Sequence, residues 1–371
     1  MDYDVVTLDT NIFTQNGYAL ETGLLGQLRQ FKEGTAQFVL SEIIVREVIK
    51  HMTDAAVKVR GQFDTAVRRS SDLGLSGDLS SEDIDKFRNA FQAPKDAVKN
   101  RVERFQKETR LRFIRADRAD MGRLVNSYFK PLPPFESSGD KKNEFPDAIA
   151  LLSLEKWAEE NRKKILAISA DKGWQDFAKQ SAWIDVETDF QTALGKLQAD
   201  AEHAQNIASN FMADIESGKY PDWATYIEDA LAQQVSDMSP LGEGDSYLDI
   251  EIYETYLEYK DFSYVEAQDV RLIQVGKDRI VISILTEVIA EASGEATFSQ
   301  SDSVDKDYVS IGGNSCSVEV RENLPLLIEF LLTGSSEEPF EIGTVEFAEE
   351  ISIVDFGYIE PDFSDEYYEY D

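Results

Sequence analysis

Short apolar runs alternate with longer amphipathic stretches through the first half of the chain. The runs Asp4–Leu8, Gln37–Leu40, Ile165–Ser169 and Trp183–Val186 are mostly apolar and rich in β-branched residues. That pattern predicts short strands buried on both faces of a sheet. Helices are predicted between them. One runs around Leu20 to Lys32. A second opens at Ser41, whose hydroxyl can accept from an orphan backbone N–H, and carries Ile44, Val45, Val48 and Met52 on its apolar side. A third opens at Pro146 and continues to about Asn161, with Leu151, Leu154 and Trp157 inside, and a fourth covers about Trp174 to Lys179. This alternation predicts an α/β fold, a parallel, doubly wound sheet over 1–190. Residues 53 to about 130 read as helical and highly charged, with a break at Leu73–Gly77 and a new helix start at Ser81-Glu82-Asp83-Ile84. Together with the rigid Pro131-Leu132-Pro133-Pro134 turn they form a helical insert of about 53–135. Gly139–Glu144 reads as a polar loop.

The pattern changes after residue 190. A helical linker is expected over 191–240. Period-two alternation begins near Tyr247 and recurs at Val270–Val275 and Ile280–Ile284, separated by a Gly276-Lys277-Asp278 turn. Further strand-like runs fall at Tyr308–Ile311, Cys316–Val320, Leu326–Leu332, Thr344–Phe347 and Ile351–Phe356. A mostly antiparallel β domain over 241–371 is expected, ending in a frayed Asp/Glu/Tyr-rich tail from Asp362 to Asp371.

Charge divides the chain at nearly the same place. The net charge is −34, of which residues 1–200 carry −2 and residues 201–371 carry −32. The acidic half therefore reads as a solvating surface or as a docking surface for a protein partner or a second copy. A single cysteine, Cys316, excludes an internal disulfide, and two histidines, His51 and His203, leave little material for a histidine-ligated metal. The acidic opening Met1-Asp2-Tyr3-Asp4 is unlike a signal peptide, and no apolar run is long enough to cross a bilayer. A cytoplasmic location without membrane association is expected.

Four acids stand at the ends of predicted elements. Asp9 ends the first strand, Glu47 lies one to two turns into the helix after the second, Asp147 is in the first turn after Pro146, and Asp171 follows the strand ending at Ser169. Each has an ordinary reading as a cap, a turn or a solvated helix residue. In a parallel sheet, however, all four face the carboxyl edge, where ligands bind. Carboxylates gathered there repel one another, and a divalent cation relieves that repulsion. An all-oxygen set suits Mg²⁺ or Mn²⁺, as one ion or two, which can activate water against a phosphodiester.

Taken together, Leu8-Asp9-Thr10-Asn11, Leu40 to Glu47, Phe145-Pro146-Asp147-Ala148 and Ile168-Ser169-Ala170-Asp171 resemble the PIN domain, a family of metal-dependent nucleases, over about 1–190. The resemblance implies metal ligation by Asp9, Glu47, Asp147 and Asp171, with Asn11 and Ser169 as polar helpers. It implies hydrolysis of single-stranded RNA, and roles in toxin–antitoxin pairs, RNA processing or phage defence. The long charged insert departs from compact members. Glu42 competes with Glu47, and Glu144 with Asp147. Glu47 is preferred for its spacing from Ser41, and Asp147 for its place inside the helix.

The basic stretch 95–123 is the candidate phosphate-tracking surface, through Lys99, Arg101, Arg104, Lys107, Arg110, Arg112 and Arg115. Its competing reading is a helix pair laced with ion pairs. Phe105 and Phe113 are expected in the core. Two other readings stand beside the nuclease. One is a non-catalytic binding module with a degenerate site, its acidic half docking a partner or covering the basic stretch. The other is a phosphatase of the haloacid dehalogenase type, which expects a second aspartate where this chain has Asn11.

Overall fold

A computed structural model describes residues 3–34, 36–72, 81–91, 93–135, 144–198, 201–265, 270–301, 308–333 and 340–362. The predicted break at 73–77, most of the polar loop at 139–144 and nearly all of the acidic tail lie outside the described residues. The chain divides into two compact units, residues 1–199 and 200–371.

The first unit runs β1 (Val5–Leu8), α1 (Thr10–Gln15), α2 (Gly23–Gly26), a 3-10 turn (Gln27–Lys32), β2 (Gln37–Ser41) and α3 (Glu42–Asp72). It continues through α4 (Ser81–Ala90), α5 (Pro94–Thr109), β3 (Arg112–Ile114), α6 (Met121–Phe129) and α7 (Phe145–Asn161). Then come β4 (Ile165–Ile168), α8 (Lys172–Ala178), β5 (Ile184–Glu187) and α9 (Phe190–Lys196). The five strands form one parallel sheet in the order β3-β2-β1-β4-β5. Every position of β1 and β4 is buried, as apolar runs flanked by helices on both faces require.

The strand order locates the site. From β1 the chain winds outward to β2 and β3, then returns to the other side of β1 as β4. The order reverses between β1 and β4, where Leu8 pairs with Ile168. A crevice beyond the carboxyl ends of the strands opens at such a switch point. Asp9 and Ser169 are the residues that leave these two strands.

Three local expectations are corrected. Residues 112–114 are not helical but form β3, the edge strand, pairing Ser41 with Ile114. The run Arg112-Phe113-Ile114 is too short to stand out from its charged flanks; pairing with β2 decides its conformation. The stretch near 20–32 splits into a four-residue helix and a 3-10 turn. Phe113 is not in the core but 38 % exposed, because it sits on that edge strand, whereas Phe105 is buried. Phe105 meets Phe13 and Phe38 edge-on, with ring centroids 6.5 and 6.1 Å away. With Val98, Val102 and Thr109 it forms the buried stripe of α5 at helical spacing, so this part of the insert is docked onto the core.

The second unit begins with α10 (Ala201–Glu216) and α11 (Pro221–Asp237), followed by β6 (Leu241–Asp245), β7 (Asp249–Tyr264), β8 (Arg271–Val275) and β9 (Arg279–Ser301). It ends with β10 (Tyr308–Leu332), β11 (Phe340–Phe347) and β12 (Ile353–Tyr358). An antiparallel sheet has the order β11-β10-β9-β7 with β8 beside β9, and β12 pairs with β6 in parallel. The helices expected as a linker lie inside this unit. Met212, Ile227, Leu231 and Val235 share one buried cluster with Ile282, Ile284, Val288 and Phe298 of β9. The runs expected as three strands at 308–311, 316–320 and 326–332 are one, β10, continuous through Gly312 and Pro325. Pro325 stands at the end of the β10–β11 ladder, where its carbonyl accepts from the Ala348 N–H at 2.8 Å, so its missing N–H costs only one terminal bond on that side. Glu258, Glu291 and Glu319 lie side by side on β7, β9 and β10, and Lys260 bridges the first two at 3.0 Å each. No helix among the described residues is long and apolar enough to cross a membrane.

Candidate active site

The site is assembled from loop and helix starts at the sheet's carboxyl edge. Asp9 is the N-cap of α1 and only 5 % exposed. Its Oδ1 accepts from the Thr10 backbone N–H at 2.6 Å, and its Oδ2 accepts from Ser169 Oγ at 2.6 Å. Asp171 is the N-cap of α8 and accepts from the Trp174 backbone N–H at 3.1 Å. Its own N–H donates to Ser169 Oγ at 3.0 Å. Asp147, in the first turn of α7, accepts from the Trp174 indole Nε1 at 3.1 Å. Glu47, on α3, accepts from Thr10 Oγ1 at 2.7 Å.

One hydrogen-bonded path therefore runs Glu47, Thr10, Asp9, Ser169, Asp171, Trp174, Asp147. It draws residues from four distant segments to one rim. The capping readings of Asp9 and Asp171 are correct, and they do not compete with a functional one: capping fixes the carboxylates in place.

The electrostatics match this geometry. Burial pushes the Asp9 carboxyl up to about 7, the negative charges of Asp147 and Asp171 add to the rise, and the Ser169 and Thr10 hydrogen bonds oppose it. Asp147 is pushed up to about 6, chiefly by burial, then by Asp171, Glu47 and Glu144, against the hydrogen bond from Trp174. The four acids thus share one field of mutual repulsion. They are not drawn into a tight cage: among the described residues no three His, Cys, Asp or Glu side chains lie at metal-holding spacing. Each acid is tied to its own local donor instead. The donor chemistry fits a hard divalent cation, being all oxygen and short of positive charge. Asn11 adds a buried Oδ1 without a hydrogen-bond partner in the first turn of α1.

The competing acids are placed elsewhere in the network. Glu42 pairs with Arg46 and accepts from the Ala116 N–H at 3.2 Å, tying α3 to the turn after β3. Glu144 is at the N-cap position of α7 and reaches Asp147 through charge. Three residues that sequence reasoning did not single out matter here. Thr10 joins Glu47 to Asp9, and Trp174 joins Asp147 to Asp171. Gly173 lets the chain pass: a Cβ on it would lie 2.9 Å from Asp171 Oδ1 and 3.0 Å from the Pro134 carbonyl oxygen. The visible signal for Thr10 and Trp174 was their spacing from a capping aspartate, one and three residues on. Gly173→Ala is expected to lower unfolding stability by about 1–3 kcal/mol, read from urea melts, since backbone must yield.

The basic stretch is less uniform than its composition implies. Arg101 is bound bidentately to Glu21, its closest N–O distance 2.6 Å, which holds the Glu21 carboxyl below its ordinary value, mainly through that hydrogen bond. Arg115 pairs with Asp117 at 2.6 Å, and Lys99 approaches Glu103 at 3.9 Å. Arg110 donates to the Lys32 carbonyl at 3.4 Å, and Arg112 lies over the Trp157 ring at 5.6 Å. Arg104, Lys107, Arg110, Arg112 and Arg115 are exposed; Arg101 is partly buried.

A family model described as PIN domain matches residues 6–174. Residues 6–174 of the first unit are thus similar to the PIN domain. The match spans Asp9, Glu47, Asp147 and Asp171 and the charged insert, while residues 200–371 match no family. No curated protein and no solved structure matches the chain. PIN domains are generally nucleases and typically use divalent metal ions, so a nucleic acid is the substrate class suggested for the first unit.

Proposed function

We propose that this PIN domain is a metal-dependent endoribonuclease that hydrolyses single-stranded RNA, using Mg²⁺ or Mn²⁺ held by Asp9, Glu47, Asp147 and Asp171. The observation that carries this reading is the hydrogen-bonded path joining all four acids at the switch point, with Asp9 and Asp147 pushed up to about 7 and 6. A bound cation would offset the shared negative charge, lower the pKa of a water and polarise a phosphodiester. The chain's own residues then have distinct tasks. Asp9 and Asp171 are fixed by their caps, Ser169 Oγ holds both segments together, and Thr10 sets the Glu47 carboxylate against α1. Asn11 supplies a neutral oxygen. The exposed Arg104, Lys107 and Arg112 offer positive charge for a phosphate backbone.

Incubation of the chain with Mn²⁺ and end-labelled single-stranded RNA, beside single-stranded DNA of the same sequence, tests the reading. RNA cleavage is expected, abolished by EDTA and by the double variant Asp9→Asn/Asp171→Asn. Cleavage that survives in the double variant would trace to a contaminant. Cleavage of DNA alone would correct the substrate. The absence of tight carboxylate spacing favours one competitor, a binding module with a degenerate site. Calorimetric titration separates them: heat on adding Mn²⁺ that disappears in the double variant supports the nuclease.

A further inference from the structure

We infer that Trp174 is a positioning residue of the acid site, its two N–H groups setting the carboxylates of Asp147 and Asp171 relative to each other. The inference rests on the metal-dependent reading above. Trp174 is fully buried. Its backbone N–H donates to Asp171 Oδ1 and its indole Nε1–H to Asp147 Oδ1, both at 3.1 Å. One residue, by its backbone N–H and its indole, thus pins one oxygen of each of two acids that come from different helices, α7 and α8. Asp147 joins the hydrogen-bonded path through this indole.

The chemistry of the indole suits the task. It donates and cannot accept, so it holds a carboxylate in one orientation without competing for a cation. Pinning Oδ1 restricts the carboxylate's rotation and leaves its second oxygen for a ligand. The ring itself is immobile because it is packed in the core, and Gly173 allows the Pro134 backbone to approach the same turn closely. Outer partners of metal-binding carboxylates typically change affinity by about 10–100-fold when removed.

The test uses the full chain and two readouts. Trp174→Phe keeps an aromatic ring and deletes the indole donor. Its Mn²⁺ dissociation constant, measured by calorimetry, is expected to rise about tenfold. The chain has four tryptophans, so four indole N–H signals are expected in a ¹⁵N–¹H correlation spectrum. The signal missing from Trp174→Phe is that of Trp174. In metal-free protein it is expected to move upfield in Asp147→Ala, which removes its acceptor, and in wild type it is expected to shift on titration with Mg²⁺. A purely packing role moves neither. If Trp174→Phe does not fold, the Trp174 signal is assigned by elimination with single Phe variants of Trp157, Trp183 and Trp223, and the Asp147→Ala shift still decides. A wild-type chain that binds no Mn²⁺ overturns the metal-dependent reading and this role with it. Mn²⁺ binding that is equally tight in wild type and Trp174→Phe, or an indole signal indifferent to Asp147→Ala, overturns this role alone.

Discussion

Asp9→Asn is expected to abolish nuclease activity while making the metal-free protein more stable at pH 8. The activity loss follows from the proposed role of Asp9 in holding the cation. Loss of several kcal/mol of transition-state stabilisation corresponds to a rate about 10³-fold lower. The stability gain follows from burial. Asp9 is 5 % exposed and its carboxyl is pushed from an ordinary 3.8 to about 7, so at pH 8 the folded chain keeps an ionised group that water would solvate better. A shift of that size sets an upper bound of about 4 kcal/mol. The asparagine gives back part of it through weaker bonds to Ser169 and Thr10, leaving about 1–3 kcal/mol of net gain. Urea denaturation in EDTA at pH 8, run beside the RNA cleavage assay, checks both halves. A variant that loses activity and stability together would mean that Asp9 is a fold residue first.

The second large effect is a pH dependence that a metal reverses. Asp9 and Asp147 bind protons more tightly in the folded chain than in the unfolded one. Between the ordinary value of 3.8 and about 7 the folded state therefore holds more protons, and stability falls as pH rises through that window. Above about pH 7 the loss is complete. Acids with lowered values, such as Glu21 beside Arg101, contribute in the opposite sense and at lower pH. The two contributions separate in the difference between wild type and Asp9→Asn. That difference should change by about 1–3 kcal/mol between pH 5 and pH 8 in EDTA. Saturating Mn²⁺ at pH 8 should restore about 2.7 kcal/mol to wild type when free metal is 100 times its dissociation constant, and nothing comparable to the variant. A flat difference would place Asp9 in a solvated setting at odds with its burial.

The two effects share one cause. Packing β1 and β4 side by side buries a carboxylate that local hydrogen bonds only partly compensate. The domain accepts this cost at the point where the strand order reverses. Stability sacrificed at a site, rather than in the core, is the usual signature of function in a fold whose remaining choices agree with one another.

The chain's own order of residues determined a good deal. The apolar run Ile165–Ile168 and the run Val5–Leu8, broken only by Thr7, announce strands covered on both faces. The four acids at element ends, the capping chemistry at Asp9 and Asp171 and Pro146 at a helix start are equally local, so they could be read before any contact was known. What tertiary structure alone decided is non-local. Arg112–Ile114 is a strand because β2 offers it an edge, and Phe113 is exposed for the same reason. Residues 201–237 join the second unit because its sheet has an apolar surface for them, and β10 runs unbroken because β9 pairs with nearly all of it. The links of Thr10 to Glu47 and of Trp174 to Asp147 span 37 and 27 residues, and the bond from Ser169 to Asp9 spans 160, the last brought together by the reversal of strand order between β1 and β4. Local sequence fixes which groups a segment can offer; which groups meet depends on closing long loops around a shared core, and that is a property of the whole fold.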